Sequence, residues 1–159
     1  MLNKKEIPVL VAEIKDDLAK LEKLVERLAK RQARVDDEEF SDSAALRLHN
    51  FYTGCERIFK LIAKEINGIL PQSLDWHKRL LNQVALEVPN IRPAVISAET
   101  HTVLEELLNF RHVVRNLYVY ELKPERVEEL VSLTLKLYPR FNQEIKAFIS
   151  FLETVYNQS

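Results

Sequence analysis

Two glycines among 159 residues leave too few flexible positions for the turns of an all-β sandwich. They also exclude a phosphate-cradling loop of the P-loop or dinucleotide type, which needs several closely spaced glycines, whereas Gly54 and Gly68 stand about a helix length apart. A single cysteine, Cys55, cannot close an internal disulfide, and its setting in "FYTGCERIF" reads as core packing rather than a reactive thiol. The formal net charge of −1 gives no overall positive field toward nucleic acid or an anionic membrane, so any nucleic-acid contact must be local. No run reaches the roughly 18 uninterrupted apolar residues of a membrane span. The N-terminal "MLNKKEIPVLVAEIKDD" is interrupted by Glu13 and lacks a small-residue cleavage site, so it does not read as a signal peptide. The expected setting is cytoplasmic, with no membrane contact. A carboxylate-bridged metal pair in a helical bundle uses Glu-x-x-His, and none of His49, His77, His101 or His112 has a glutamate three residues earlier. Neither a metal nor a cofactor is expected.

What the chain has is 47% hydrophobic and 30% charged residues in helical spacing, which predicts an all-α fold with one core and a single domain over residues 1–159. A first helix carries Ile7, Val11, Ile14, Leu18, Leu21, Val25, Leu28 and Val35 on one stripe. A second follows N-cap candidates Ser41, Asp42 and Ser43, buries Leu48, Phe51, Tyr52, Cys55, Ile58, Phe59, Ile62 and Ile66, and ends near Asn67 with Gly68 as a left-handed terminator. A short third helix sets Trp76, Leu80, Leu81, Val84 and Val88 on one side, with Trp76 in the core. The loop "PNIRPAVIS" then leads to Ser97 as N-cap of a fourth helix from about Ala98 to Tyr120. Pro124 suits the first turn of a fifth helix, in which Pro139 is expected to kink or split the chain near Tyr138.

The fourth helix ends in "NFRHVVRNLYVYEL". At about 100° per residue, with Arg111 at zero, Tyr118 falls at about −20°, Arg115 at about 40°, His112 at about 100° and Asn116 at about 140°. Phe110, Val113, Val114 and Leu117 fall on the other side and suit the core. The polar face holds two arginines, an imidazole, an amide and a phenol with no acid among them, an arrangement that suits an anion better than solvent. An arginine fork binds phosphate bidentately and an imidazole moves protons near neutral pH. That set suits attack of a ribose 2′-hydroxyl on its own 3′-phosphate, with Arg111 as cation and His112 as proton carrier. Arg47, Asn50 and Gly54, read as the polar side of the second helix, add Arg47 and Asn50 as candidates for RNA contact. His49, His77 and His101 read singly as surface residues.

An arginine followed by a polar residue, three more, a His position, one more and a tyrosine resembles the signature of the HEPN superfamily, most closely the HepT-like toxins. "LHNFYTGCERIFKLIAKEINGILPQSLDWHKRLLNQV", "RPAVIS" and "FRHVVRNLYVYELKPERVEEL" are similar to that family in order. The resemblance implies a HEPN-like bundle of about five helices in up-down packing, a homodimer, and a metal-independent endoribonuclease toxin. It also implies a minimal nucleotidyltransferase antitoxin that modifies the signature tyrosine, here Tyr118. The signature histidine position holds Asn116, and His112 stands where the family often has asparagine, so the two side chains read as transposed. Arg111, His112, Asn116 and Tyr118 are the catalytic candidates, and Arg115 joins Arg47 and Asn50 as RNA-binding candidates. The alternative is a catalytically degenerate binding module that partners a nucleotidyltransferase without cleaving RNA.

Overall fold

The computed structural model describes residues 3–31, 38–116 and 122–158, the side chains of 31, 38–41, 115 and 116 excepted. Five α-helices account for most of them: α1 (Ile7–Arg31), α2 (Glu38–Ile62), α3 (Trp76–Val84), α4 (Ala98–Asn116) and α5 (Pro124–Asn157). A one-turn 3-10 helix precedes α1, closed by a reciprocal cap in which the Asn3 backbone N–H donates to Glu6 and the Asn3 side chain accepts from Lys5. Val35, expected on the first stripe, lies outside the described residues. Among the described residues the only strand-like pairing is one bridge, Val88 to Arg92.

α2 lies against α1, α3, α4 and α5, while α1 and α4 each pack on α5. Its apolar stripe is therefore buried against several partners, and Phe51, Tyr52, Cys55, Ile58, Phe59 and Ile62 are at most 1% exposed. Phe51 meets Tyr138 and Phe141 edge to face at 6.3 Å, and Phe59 meets Phe141 at 6.1 Å. Such pairs contribute about 1 kcal/mol each beyond the area they bury. Gly54 is not on the polar side of this helix as the sequence reading had it. It faces α1, where a Cβ would come within 2.5 Å of Leu21 Cδ2. The missing side chain lets the two helices approach.

Several boundaries move. α2 begins at Glu38, so Ser41, Asp42 and Ser43 are helical residues and not caps; acidic residues in a first turn are themselves favoured by the helix dipole. Its end widens into a π turn, Ala63–Asn67, before Gly68 reverses the chain at φ 80°. α3 stops at Val84, short of Val88. Pro139 does not split α5, which runs unbroken for 34 residues. Losing one backbone hydrogen bond there costs about 3 kcal/mol. Burial of Leu137, Tyr138, Phe141 and Ile145 around it, at about 2 kcal/mol each, outweighs that cost.

Two polar clamps set the position of α4. In the preceding loop Arg92 is 3% exposed, and its guanidinium donates to the carbonyls of Gln83, Leu86 and Pro93 and to Asn67 Oδ1 at 2.8–3.1 Å. Burial holds its pKa below the usual arginine value. At the start of α4, Ser97 Oγ accepts from the Thr100 backbone N–H at 3.2 Å, the expected N-cap. Glu144 of α5 accepts from the Ser97 N–H at 3.0 Å and from the Thr100 hydroxyl at 2.6 Å.

Candidate functional site

The N-terminal half of α4 decides which of its faces turns inward. Thr100, Leu104, Leu107 and Leu108, all buried, fall within about 60° of Arg111 on the helix wheel. Arg111 therefore stands at the centre of the buried face and not on a wet one, and its side chain is only 11% exposed. Val113, expected in the core, is 43% exposed, while Phe110 is buried and Val114 half-buried. The valines beside the signature would turn the helix the other way, but the leucines a turn or two earlier carry the larger apolar area and dominate.

A guanidinium driven inward needs a counter-charge, and α2 supplies it. Glu56, 4% exposed, sits four residues after Tyr52 and three before Phe59 on the buried stripe. Its Oε1 lies 3.8 Å from Arg111 Nη1. Its Oε2 lies 2.6 Å from Nδ1 of His77 on α3. The expectation of cations without an acid holds only within the stretch from Arg111 to Tyr118 and fails once α2 packs against it.

Arg111 Nη1 is also 3.0 Å from the same Nδ1. A ring nitrogen has one in-plane site, so Nδ1 cannot both donate to Glu56 and accept from Arg111. The shorter contact to a buried carboxylate is the charge-assisted one, so Nδ1–H donates to Glu56 and the guanidinium acts on the pair through its charge. Arg111 Nε is buried and has no hydrogen-bond acceptor among the described residues.

His77 is held from other sides too. Its ring stacks on the Trp76 indole with centroids 3.6 Å apart and planes at 30°, and Lys60 Nζ sits 4.3 Å from that indole. Trp76 is thus half-buried and packed against the core through one side, with His77 against its ring. His112 meets His77 edge-on at 6.4 Å. Exposure rises from Glu56 through Arg111 and His77 to His112, which is exposed. The cluster is a buried floor with an open rim.

The field of this cluster extends into the core. Burial, and then the negative charge of Glu56, push the Tyr52 phenol well above the usual tyrosine range, with Arg111 opposing. The same two causes raise the Cys55 thiol. Both groups stay protonated, and Cys55 is inert packing as its sequence setting implied.

Of the candidates, Arg111 and His112 are brought to one place. Tyr118 lies outside the described residues, as do the side chains of Arg115 and Asn116. Arg47 Nη1 donates to Ser43 Oγ at 3.1 Å, and Asn50 is exposed. His101 Nε2 contacts Asn82 Oδ1 at 2.7 Å and ties α4 to α3. Sequence reading missed Glu56 and His77. The legible signal was an acid inside an apolar stripe, which demands a buried cationic or hydrogen-bonding partner.

Within about 4 Å the site joins a guanidinium, an imidazole and a carboxylate that orients it, a set able to hold an anion and move a proton beside it. A comparison with curated proteins returns no match. The family model described as HepT-like protein matches residues 43–152, which take in the whole Glu56–His77–Arg111 cluster and most of α5. This all-α bundle belongs to the HepT-like family of the HEPN superfamily.

Proposed function

We propose that the chain is a metal-independent endoribonuclease toxin of a toxin–antitoxin pair, acting as a homodimer and neutralised by a nucleotidyltransferase that modifies Tyr118. The observation that carries the reading is the 3.0 Å approach of the Arg111 guanidinium to an imidazole. Cleavage by an internal 2′-hydroxyl needs a cation beside the phosphorane and a group that carries a proton, and both are present at one place. Family membership supports the ribonuclease class.

One observation favours the second reading, a binding module that keeps a nucleotidyltransferase partner without cleaving RNA. Arg111 is covered and already faces Glu56, as a structural ion pair would, and the signature histidine position is Asn116. Purified protein incubated with structured RNA in EDTA separates the two. The toxin yields fragments ending in 2′,3′-cyclic phosphate, lost in Arg111→Ala; the binding module leaves the RNA intact. Fragments that persist in Arg111→Ala would belong to another site or a contaminant.

A further inference from the structure

The geometry points to His77, a residue of α3, as the group that takes the proton of the ribose 2′-hydroxyl, with Glu56 as its positioning residue. The inference rests on the ribonuclease reading and names a catalytic group that the α4 signature does not contain. Proton transfer requires an imidazole whose tautomer and plane are set before substrate arrives. His77 has both set by its neighbours. Glu56 accepts from Nδ1 at 2.6 Å, which leaves the lone pair on Nε2. Trp76 stacks on the ring and fixes its plane. Arg111, the cation for the phosphate, is 3.0 Å from the same ring.

His112 stands differently. It follows Arg111 by one residue, about 100° around α4, and lies at the exposed rim with its ring 6.4 Å from that of His77. Its exposure leaves it to contact RNA at the surface and not to act on the covered floor. The arrangement on the floor, a carboxylate behind an imidazole beside the electrophile's counter-charge, has the logic of a nucleophile-activating dyad built from three helices.

The step balances with RNA alone. Nε2 of His77 takes the 2′-hydroxyl proton, the 2′-oxygen forms a bond to phosphorus, and the bond from phosphorus to the 5′-oxygen breaks. The departing oxygen takes a proton from solvent, giving a 2′,3′-cyclic phosphate and a 5′-hydroxyl end. The imidazolium returns its proton to water, and nothing is oxidised or reduced.

The test uses the full chain, a bulk transfer-RNA preparation in EDTA, and initial rates of cyclic-phosphate formation. His77→Ala is expected to lose at least about 100-fold, the ordinary contribution of a positioned acid–base group. His77→Gln can still donate to Glu56 but has no basic nitrogen to accept the 2′-hydroxyl proton, so it keeps a cooperative melt and shows the same loss. Glu56→Gln is expected to lose about tenfold or more, as loss of an orienting partner does. Added imidazole should restore His77→Ala several-fold and leave Arg111→Ala inactive, an effect that a structural histidine would not show. Folded His77→Gln cleaving within about threefold of wild type, or His77→Ala that imidazole leaves unchanged, overturns the assignment while the ribonuclease reading stands. Wild-type protein that leaves the RNA intact overturns both.

Discussion

Glu56 on α2 and His77 on α3 meet at 2.6 Å, Oε2 to Nδ1, beneath the guanidinium of Arg111. The contact joins three helices through one carboxylate, so that the same group satisfies a buried cation and sets the plane and tautomer of an imidazole. Removing it leaves two polar groups without their acceptor in a covered site.

Glu56→Ala should therefore destabilise the fold by about 3 kcal/mol, the usual cost of stripping one partner from a buried ion pair. Glu56→Gln, which keeps an acceptor oxygen for His77 and adds no cavity, should cost less. Urea denaturation of the two variants and the wild type checks both the magnitude and the order.

Gly54→Val should lower stability by about 2 kcal/mol through overpacking. Leu21 is 3% exposed and its Cδ2 would lie 2.5 Å from the new Cβ, so it must leave its rotamer or push α1 outward. Valine recovers only part of the helix propensity that glycine lacks. A thermal melt at or above the wild-type midpoint would show that α1 yields without cost.

Alkaline pH should weaken the fold through two buried groups. Cys55 and Tyr52 both have their pKa raised by burial and by Glu56, so the folded state keeps protons that the unfolded chain releases. The stability they contribute is complete below the ordinary thiol value of about 8.5 and declines as pH rises past it, then past about 10 for the phenol. Denaturation midpoints across pH 7–10.5 should fall in that window, less steeply in Cys55→Ala once its own cavity cost is subtracted. Native Cys55 should also resist a thiol reagent until the protein unfolds.

Exchanging the transposed pair asks whether residue 116 matters. If the site works as it stands, His112→Asn combined with Asn116→His should give activity at least equal to the starting protein. Asn116→Ala should spare most of the rate. Revival of an inactive wild type by Asn116→His alone would place proton transfer at the signature position.

Under the proposed pairing, Tyr118 should gain AMP when the chain is co-expressed with a minimal nucleotidyltransferase, in the presence of ATP and Mg²⁺. On an ideal helix Tyr118 falls on the side of Arg111 and Arg115, so the adduct's negative charge would compete with RNA phosphate there. Intact-mass measurement should show AMP increments that disappear in Tyr118→Phe. Increments that survive that substitution would move the modification elsewhere.

What the sequence determined by itself was local: the five helices, the left-handed stop at Gly68, the cap at Ser97, Pro124 in the first turn of α5, and Cys55 in the core. These follow from spacing and backbone preference within a few residues, which any stretch of chain expresses without its neighbours. The resemblance in the α4 signature also needed only contiguous residues. That Arg111 shares a side of the helix with Leu104, Leu107 and Leu108 was legible, but which of the two apolar stripes of α4 meets the core was decided by its packing on α2 and α5. The continuity of α5 through Pro139 was decided there too, where burial outweighs one lost hydrogen bond. Above all, Glu56 and His77 are 21 residues apart and Arg111 a further 34, and no periodicity relates them. Only the packing of α2, α3 and α4 puts a carboxylate, an imidazole and a guanidinium within reach of one another. A buried charge is stable there only because its partners arrive from other helices.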